Sequence, residues 1–273
     1  MTTKPVTKEV YMGDTPETTA VKLGGVFVST LDRVELANLC VKNCLQARQS
    51  AEQSQPKLVF DLNGHGLALY HSNAEYRSML NSADIVHADG GFLITASKIF
   101  CSEPVKGRSA TTDMIHDIAR VCSEKKLSFY LLGGTSEVNE ACVSELKKLY
   151  PMLEIVGWRN GFFRNDEQDS VIDQIAKARP DVVWVGMGKP QEQAFCIAAR
   201  QRLKSGWIIS CGGCYNYITG HYKRAPQWLQ KLNLEWLHRL VTNPRKLFWR
   251  YLWTTPYAIW LTLRYSSKAK KSV

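Results

Sequence analysis

The sequence predicts an α/β protein: a Rossmann-like, mainly parallel sheet with helices on both faces, plus a basic, aromatic, helical C-terminal appendage. Three observations carry this. Short apolar, β-branched runs alternate with amphipathic helical patterns between residues 24 and 211. Several of those runs are apolar throughout, as strands buried on both faces are. The last 53 residues hold eleven Lys and Arg against one acid, Glu235, which equals the +10 of the whole chain.

Residues 1–20 are polar and threonine-rich, the composition of a flexible terminus. Strand Gly24–Ser29 and helix Leu31–Gln49 follow, then strand Lys57–Asn63, helix Ala74–Asn81 and strand Asp84–Ala88. Helix Ala110–Ser123, strand Leu127–Leu132, helix Glu137–Leu149 and strand Leu153–Gly157 continue the alternation. Helix Asp166–Ala178, strand Asp181–Met187, helix Pro190–Leu203 and strand Trp207–Cys211 complete it. Each strand is apolar and bounded by turn residues; each helix repeats its apolar positions at helical spacing. The chain is therefore expected to divide into a flexible N-terminus (1–20), an α/β domain (21–220) and a C-terminal appendage (221–273). Neither an internal repeat nor a low-complexity linker interrupts it.

The appendage also holds five of the eight tryptophans: Trp228, Trp236, Trp249, Trp253 and Trp260. Basic residues mixed with Trp and Tyr describe a surface that sits on anionic lipid. Its uncharged stretch Tyr251 to Leu263 is thirteen residues, too short to span a bilayer. The polar N-terminus lacks an apolar leader core, so no secretory signal is expected, and the eight cysteines are read as free thiols of a reducing compartment. Cys211 and Cys214 form a CxxC, but no second CxxC and no His pair at metal-ligand spacing accompany it. They are read as small residues packed where a strand enters a glycine turn. A nucleic-acid partner is not expected, since no recognised motif accompanies the charge.

Ligands of such sheets bind outside the carboxyl ends of the strands. Gly133 and Gly134 follow one strand and open a helix, an arrangement that lets backbone amides approach a phosphate; a tight turn capped by Thr135 or Ser136 is the plain alternative. Gly186, Gly188, Pro190, Glu192 and Gln193 follow another, with Pro190 suited to the first helical position and Glu192 and Gln193 able to hydrogen-bond a base or sugar. Asp89 ends a third strand, where partial desolvation suits a general base; an N-cap for the following helix is the alternative. Asp61 and Asn63 end another, earlier run and bring a second carboxylate and an amide nearby if those two strands are neighbours. Arg108 precedes a helix and can hold a phosphate bidentately. No Asp-x-Asp occurs, leaving phosphate handling to cationic side chains and backbone amides.

In order along the chain, ADG at Ala88–Gly90, LLGG at Leu131–Gly134, YP…IVG at Tyr150–Gly157 and NGFF at Asn160–Phe163 stand as a set. PDVVWVGMGKPQEQ at Pro180–Gln193, CGG at Cys211–Gly213, TGHYKRAP at Thr219–Pro226, LEWLHRL at Leu234–Leu240 and NPRK at Asn243–Lys246 extend it. Nine collinear motifs over roughly residues 22–250 resemble the WecG/TagA/CpsF family of bacterial glycosyltransferases, glycosyltransferase family 26.

The resemblance implies transfer of a sugar from a UDP-sugar to a polyprenyl-diphosphate-linked saccharide, with inversion and with neither metal nor cofactor. The donors of such enzymes carry N-acetylmannosamine, its uronic acid or glucose. It implies that Asp89 is the base, that Asn63 lies in the cleft, and that Arg108, Arg224, Arg239 and Arg245 bind phosphate. The implied partners are the UDP-sugar, the lipid-linked saccharide, an anionic membrane surface and, in a homo-oligomer, further copies of the chain. The implied location is the cytoplasmic face of the bacterial inner membrane, as a peripheral protein. Asp61 departs from the family, which usually has Thr there, so a second carboxylate competes for the role of base. The reading from a different class is a non-catalytic membrane-surface module, for which Asp89, Arg108 and the glycine turns together would have no use.

Overall fold

The apolar runs form one parallel sheet because both of their faces are apolar, and each crossover helix covers one of those faces. The computed structural model describes residues 19–50, 55–231, 235–242 and 244–272. The chain opens with β1 (Thr19–Leu23) and β2 (Val26–Ser29), then α1 (Arg33–Gln49), β3 (Lys57–Leu62), α2 (Gly64–Ser72) and α3 (Ala74–Asn81). Next come β4 (Ile85–Ala88), α4 (Gly91–Phe100), α5 (Thr111–Glu124), β5 (Ser128–Gly133), α6 (Ser136–Leu149) and β6 (Glu154–Arg159). The body closes with α7 (Gln168–Ala178), β7 (Val182–Gly186), α8 (Gln191–Arg200), β8 (Trp207–Ser210) and α9 (Cys214–Ile218). The appendage consists of α10 (Gln227–Lys231), α11 (Glu235–Thr242), α12 (Pro244–Tyr265) and β9 (Ser267–Ser272).

The main sheet has six strands in the order β4-β3-β8-β7-β5-β6, all parallel. Side chains alternate between its faces. Leu58, Phe60, Leu62, Val183, Val185 and Ile208 join the core layer under α2, α3, α7 and α8. Val59, Phe129, Leu131, Trp184, Trp207 and Ile209 join the layer under α1, α5, α6 and α9. The order reverses direction between the β3–β4 pair and the β5–β6 pair, so the carboxyl ends of β4, β3, β8 and β7 surround one crevice.

The expected strand Gly24–Ser29 is corrected. Gly24 and Gly25 both have positive φ (56° and 91°) and form the two-residue turn of a hairpin, with Leu23 opposite Val26. The hairpin lies outside the parallel sheet; β9 from the far end of the chain adds to β1 as its third, antiparallel strand. Most of the expected flexible terminus, residues 1–18, lies outside the described residues. Thr19 and Ala20 already belong to β1. Residues 64–72 carry no element in the sequence reading, because two glycines and two histidines weaken the helical pattern. Asn63 starts α2 there by accepting a hydrogen bond from Gly66 N.

β5 and β7 approach so closely at their ends that Gly133, with φ 137°, faces Gly186 in register. A Cβ on Gly133 would stand 2.2 Å from the Gly186 carbonyl oxygen. Gly133→Ala is therefore expected to destabilise by about 3 kcal/mol or more, lowering Tm by roughly 6–12 °C in a chain of this size. A calorimetric melt checks this, and an unchanged Tm would mean the two strand ends are not held so tightly.

Candidate active site

The crevice is a cleft of about 600 Å³. Its floor comes from the loops after β3, β4, β7 and β8, and one wall comes from the appendage through Glu235, Thr254, Thr255, Ala258 and Ile259. Asp61, Asn63, Asp89, Arg108, Gly188 and Glu192 all line it. Parallel pairing in register brings them together: Asp61 lies opposite His87 on β4, so Asn63 and Asp89, each two residues further on, meet at the strand ends.

Asp61 is almost wholly buried, its side chain 5% exposed. Lys189 Nζ donates to both of its oxygens, at 2.7 and 2.6 Å. Ser210 Oγ donates to Oδ1 at 3.1 Å and Asn63 Nδ2 to Oδ2 at 3.1 Å. Burial alone would raise this carboxyl, but the Lys189 ammonium and these hydrogen bonds outweigh it and hold it below the ordinary carboxylate range. Burial likewise disfavours the ammonium, and the Asp61 and Glu192 carboxylates more than compensate, so Lys189 is held charged. Glu192, 3.7 Å from Lys189, is pushed up by its burial and by the neighbouring Asp61. Its Oε2 accepts from Gly188 N and Gly212 N, both at 3.0 Å, tying the β7 loop to the β8 loop.

Asp89 is held more loosely and is more open, with its side chain 16% exposed. Its Oδ1 accepts from Thr111 N at 3.3 Å at the start of α5, and its Oδ2 lies 3.5 Å from Asn63 Nδ2. The N-cap position of α4 is Gly90, so Asp89 does not cap that helix. Arg108 donates from Nε to the Asp89 carbonyl at 2.7 Å and from Nη1 to Glu235 at 2.6 Å, with Nη2 3.9 Å from Asp89 Oδ1. The single acid of the appendage thus completes the cleft from outside the body. On β4 beside Asp61, His87 is fully buried and burial lowers its pKa; its Nδ1 meets Ser109 Oγ at 3.1 Å.

The other expected residues stand elsewhere. Gly133, Gly134 and Gly186 lie where β5 and β7 close together, and Pro190 and Gln193 at the start of α8; none of them lines the cleft. Gln193 is fully buried, with its amide 3.3 Å from Glu192. Arg224 forms a two-pronged pair with Asp113, a carboxylate that Arg33 also reaches at 3.1 Å. The side chains of Arg239 and Arg245 lie outside the described residues. Cys211 and Cys214 line the cleft as free thiols that burial pushes well above their ordinary range. Lys189 and Glu235 are residues that sequence reasoning missed. A lysine between Gly188 and Pro190 at a strand end, and one acid in a basic tail, were the available signals.

The carboxyl ends of an α/β sheet are where its ligands bind, and here they enclose carboxylates and cations. Residues 25–272 match the profile of the glycosyl transferase WecG/TagA/CpsF family. The chain belongs to that family, and it is a glycosyltransferase. It is 31% identical over 199 residues, 72% of this chain and 75% of the relative, to the N-acetylglucosaminyldiphosphoundecaprenol N-acetyl-β-D-mannosaminyltransferase of Bacillus subtilis strain 168. To the protein of the same name from Bacillus spizizenii strain W23 it is 29% identical, over 73% of this chain and 76% of that one.

Asp61→Asn would leave the buried Lys189 ammonium without its main partner, which is expected to cost about 3–5 kcal/mol of stability at neutral pH. Because the folded Asp61 titrates below its unfolded value near 4, its contribution is complete above that pH and is lost as pH falls through the folded pKa. Urea titrations of both forms between about pH 7 and pH 2 check this. A variant as stable as wild type at neutral pH would refute the ion-pair account.

Proposed function

We propose that this chain transfers N-acetylmannosamine from UDP-N-acetylmannosamine to a hydroxyl of N-acetylglucosaminyl-diphosphoundecaprenol, with inversion and without a metal ion. The names of the two Bacillus relatives support the sugar and the acceptor. The observation that carries the chemistry is the contrast between the two carboxylates. Asp61 is saturated by Lys189, Ser210 and Asn63, whereas Asp89 opens to the cleft and has only longer contacts to its oxygens.

Asp89 is the general base. It takes the proton of the acceptor hydroxyl as that oxygen attacks the anomeric carbon from the face opposite UDP. The bond from that carbon to the UDP oxygen breaks, and UDP departs with the electron pair. Cations then stabilise the developing phosphate charge. Arg108 is at the cleft, and Arg239 and Arg245 are assigned the same task by family likeness, as is Arg224, which would have to leave Asp113 to perform it. Among the described residues no group of three or more His, Cys, Asp or Glu is arranged to hold a metal ion.

The test is incubation with a panel of UDP-sugars and the lipid-linked acceptor in EDTA, with products read by mass and the new linkage by NMR. The expected result is a β-linked N-acetylmannosaminyl product that EDTA does not suppress. Asp89→Asn is expected to lose about a hundredfold to ten-thousandfold in turnover while still binding UDP. An active Asp89→Asn, an α-linked product, or turnover that needs Mg²⁺ or Mn²⁺ restored would each overturn the corresponding part of the reading.

The acceptor remains in the bilayer, and α12 supplies the means to meet it. No helix among the described residues is long and apolar enough to cross a membrane. One face of α12 packs Ala258, Leu261 and Thr262 inward, while Leu252, Trp253, Trp260 and Leu263 stand exposed. Those rings, with Arg264 and Lys268 nearby, suit peripheral attachment to the anionic cytoplasmic leaflet, each basic residue contributing roughly 1 kcal/mol. Deleting 247–273 would remove a cleft wall along with the anchor. The cleaner variant replaces Trp253 and Trp260 together with Ser. It is expected to lose flotation with anionic vesicles while keeping UDP binding, and flotation equal to wild type would show that α12 is not the anchor.

A further inference from the structure

Lys189 carries a full charge into a site where its side chain is only 7% exposed, and that charge is spent on Asp61. Its stem runs past the first turn of α2, where a Cβ on Gly66 would stand 3.4 Å from Lys189 Cε. Glu192 fixes the loop that presents it, through Gly188 N and Gly212 N. The carboxylate that receives the ammonium is not the one assigned as base, so any influence of Lys189 on the reaction must pass through intermediaries.

Those intermediaries are present. The Asn63 amide oxygen is taken by Gly66 N at 3.1 Å, which turns its Nδ2 towards the carboxylates. Nδ2 has two protons: one goes to Asp61 Oδ2 at 3.1 Å, and Asp89 Oδ2 stands 3.5 Å away for the other. Burial pushes the Asp61 carboxyl towards its neutral form and the ammonium opposes that push, and a neutral acid is a weaker acceptor for the Asn63 amide. We propose that Lys189 is a positioning residue of the transfer reaction: its ammonium fixes the Asp61 carboxylate, Asp61 fixes the amide of Asn63, and Asn63 is thereby held against the open edge of Asp89. The proposal rests on the reading of Asp89 as the base. It gives Asp61 the task of anchoring Asn63, with Lys189 as its counter-ion.

The experiment compares wild type with Lys189→Met and with two double variants, Asp61→Asn/Lys189→Met and Asp61→Ala/Lys189→Met. Both doubles remove the two charges, but only the one with Asp61→Asn keeps an acceptor for the Asn63 amide. For each, turnover per folded molecule and donor KM are measured with UDP-N-acetylmannosamine and the lipid-linked acceptor, and UDP affinity is measured by calorimetry. Lys189→Met is expected to lose roughly a hundredfold in kcat, the scale of a misplaced reacting group, with UDP affinity unchanged. The double with Asp61→Asn is expected to recover most of that kcat and the double with Asp61→Ala none of it. A merely structural role would change the folded fraction and leave kcat per folded molecule alone.

If Lys189→Met folds too poorly to assay, the two doubles decide by themselves: equal kcat in both overturns the proposal. A Lys189→Met enzyme with normal kcat and UDP affinity weakened tenfold or more overturns it as well, making Lys189 a donor contact. Asp89→Asn separates the two readings. An inactive Asp89→Asn beside a fully active Lys189→Met overturns the role of Lys189 alone. An active Asp89→Asn overturns the base assignment and the relay that depends on it.

Discussion

The buried pair between Lys189 and Asp61 is the interaction on which the cleft depends. It joins the loop after β7 to the end of β3, two strands that are not neighbours, across the end of β8, which contributes Ser210 to the same carboxylate. Neither charge could sit there alone, since an isolated ion in such a site neutralises or leaves. Together they leave Asp61 without spare acceptor capacity and make it a fixed point. Asn63 donates to it, and the cleft then holds one tightly held carboxylate and one that is more open. Two acids at the ends of neighbouring strands thus stand in different surroundings.

On the opposite side, Arg108 ties Asp89 to the appendage. Its guanidinium spans the Asp89 carbonyl and the Glu235 carboxylate, so the appendage takes part in shaping the surroundings of Asp89. The appendage is joined to the body in two further ways. β9 pairs with β1, and the carboxyl end of α12 is held at the hairpin turn, where Tyr265 stacks on His71 and its carbonyl accepts from Gly25 N. α12 consequently has two tasks set by its two faces. The inward face closes the cleft; the outward face keeps its tryptophans in solvent or lipid. Under the proposed attachment, the element that meets the bilayer would also be a wall of the cleft.

Much of this was legible in the residues themselves. The apolar runs at Lys57–Leu62, Val182–Gly186 and Trp207–Ser210 announced a two-sided sheet, since a strand covered on both faces needs no polar alternation. Asp89 and Asn63 could be picked out because strand ends are where such sheets bind ligands. The glycines at 24 and 25 also carried a signal, for consecutive glycines accept the positive φ of a tight hairpin turn, yet the run around them reads as one strand. The concentration of charge and tryptophan after residue 220 marked the appendage and its surface character.

What the sequence by itself determined was most strands and helices of the body, the family and the chemical types available at the strand ends, because periodicity, turn residues and composition are local properties. The tertiary structure decided which of those residues meet. The order β4-β3-β8-β7-β5-β6 gathers the ends of β3, β4, β7 and β8 and leaves Gly133 and Gly134, on β5 and its loop, outside the cleft. Lys189 lies 128 residues from Asp61 and Glu235 lies 127 from Arg108. Pairings at that separation are set by strand order and helix docking, and no local pattern encodes them.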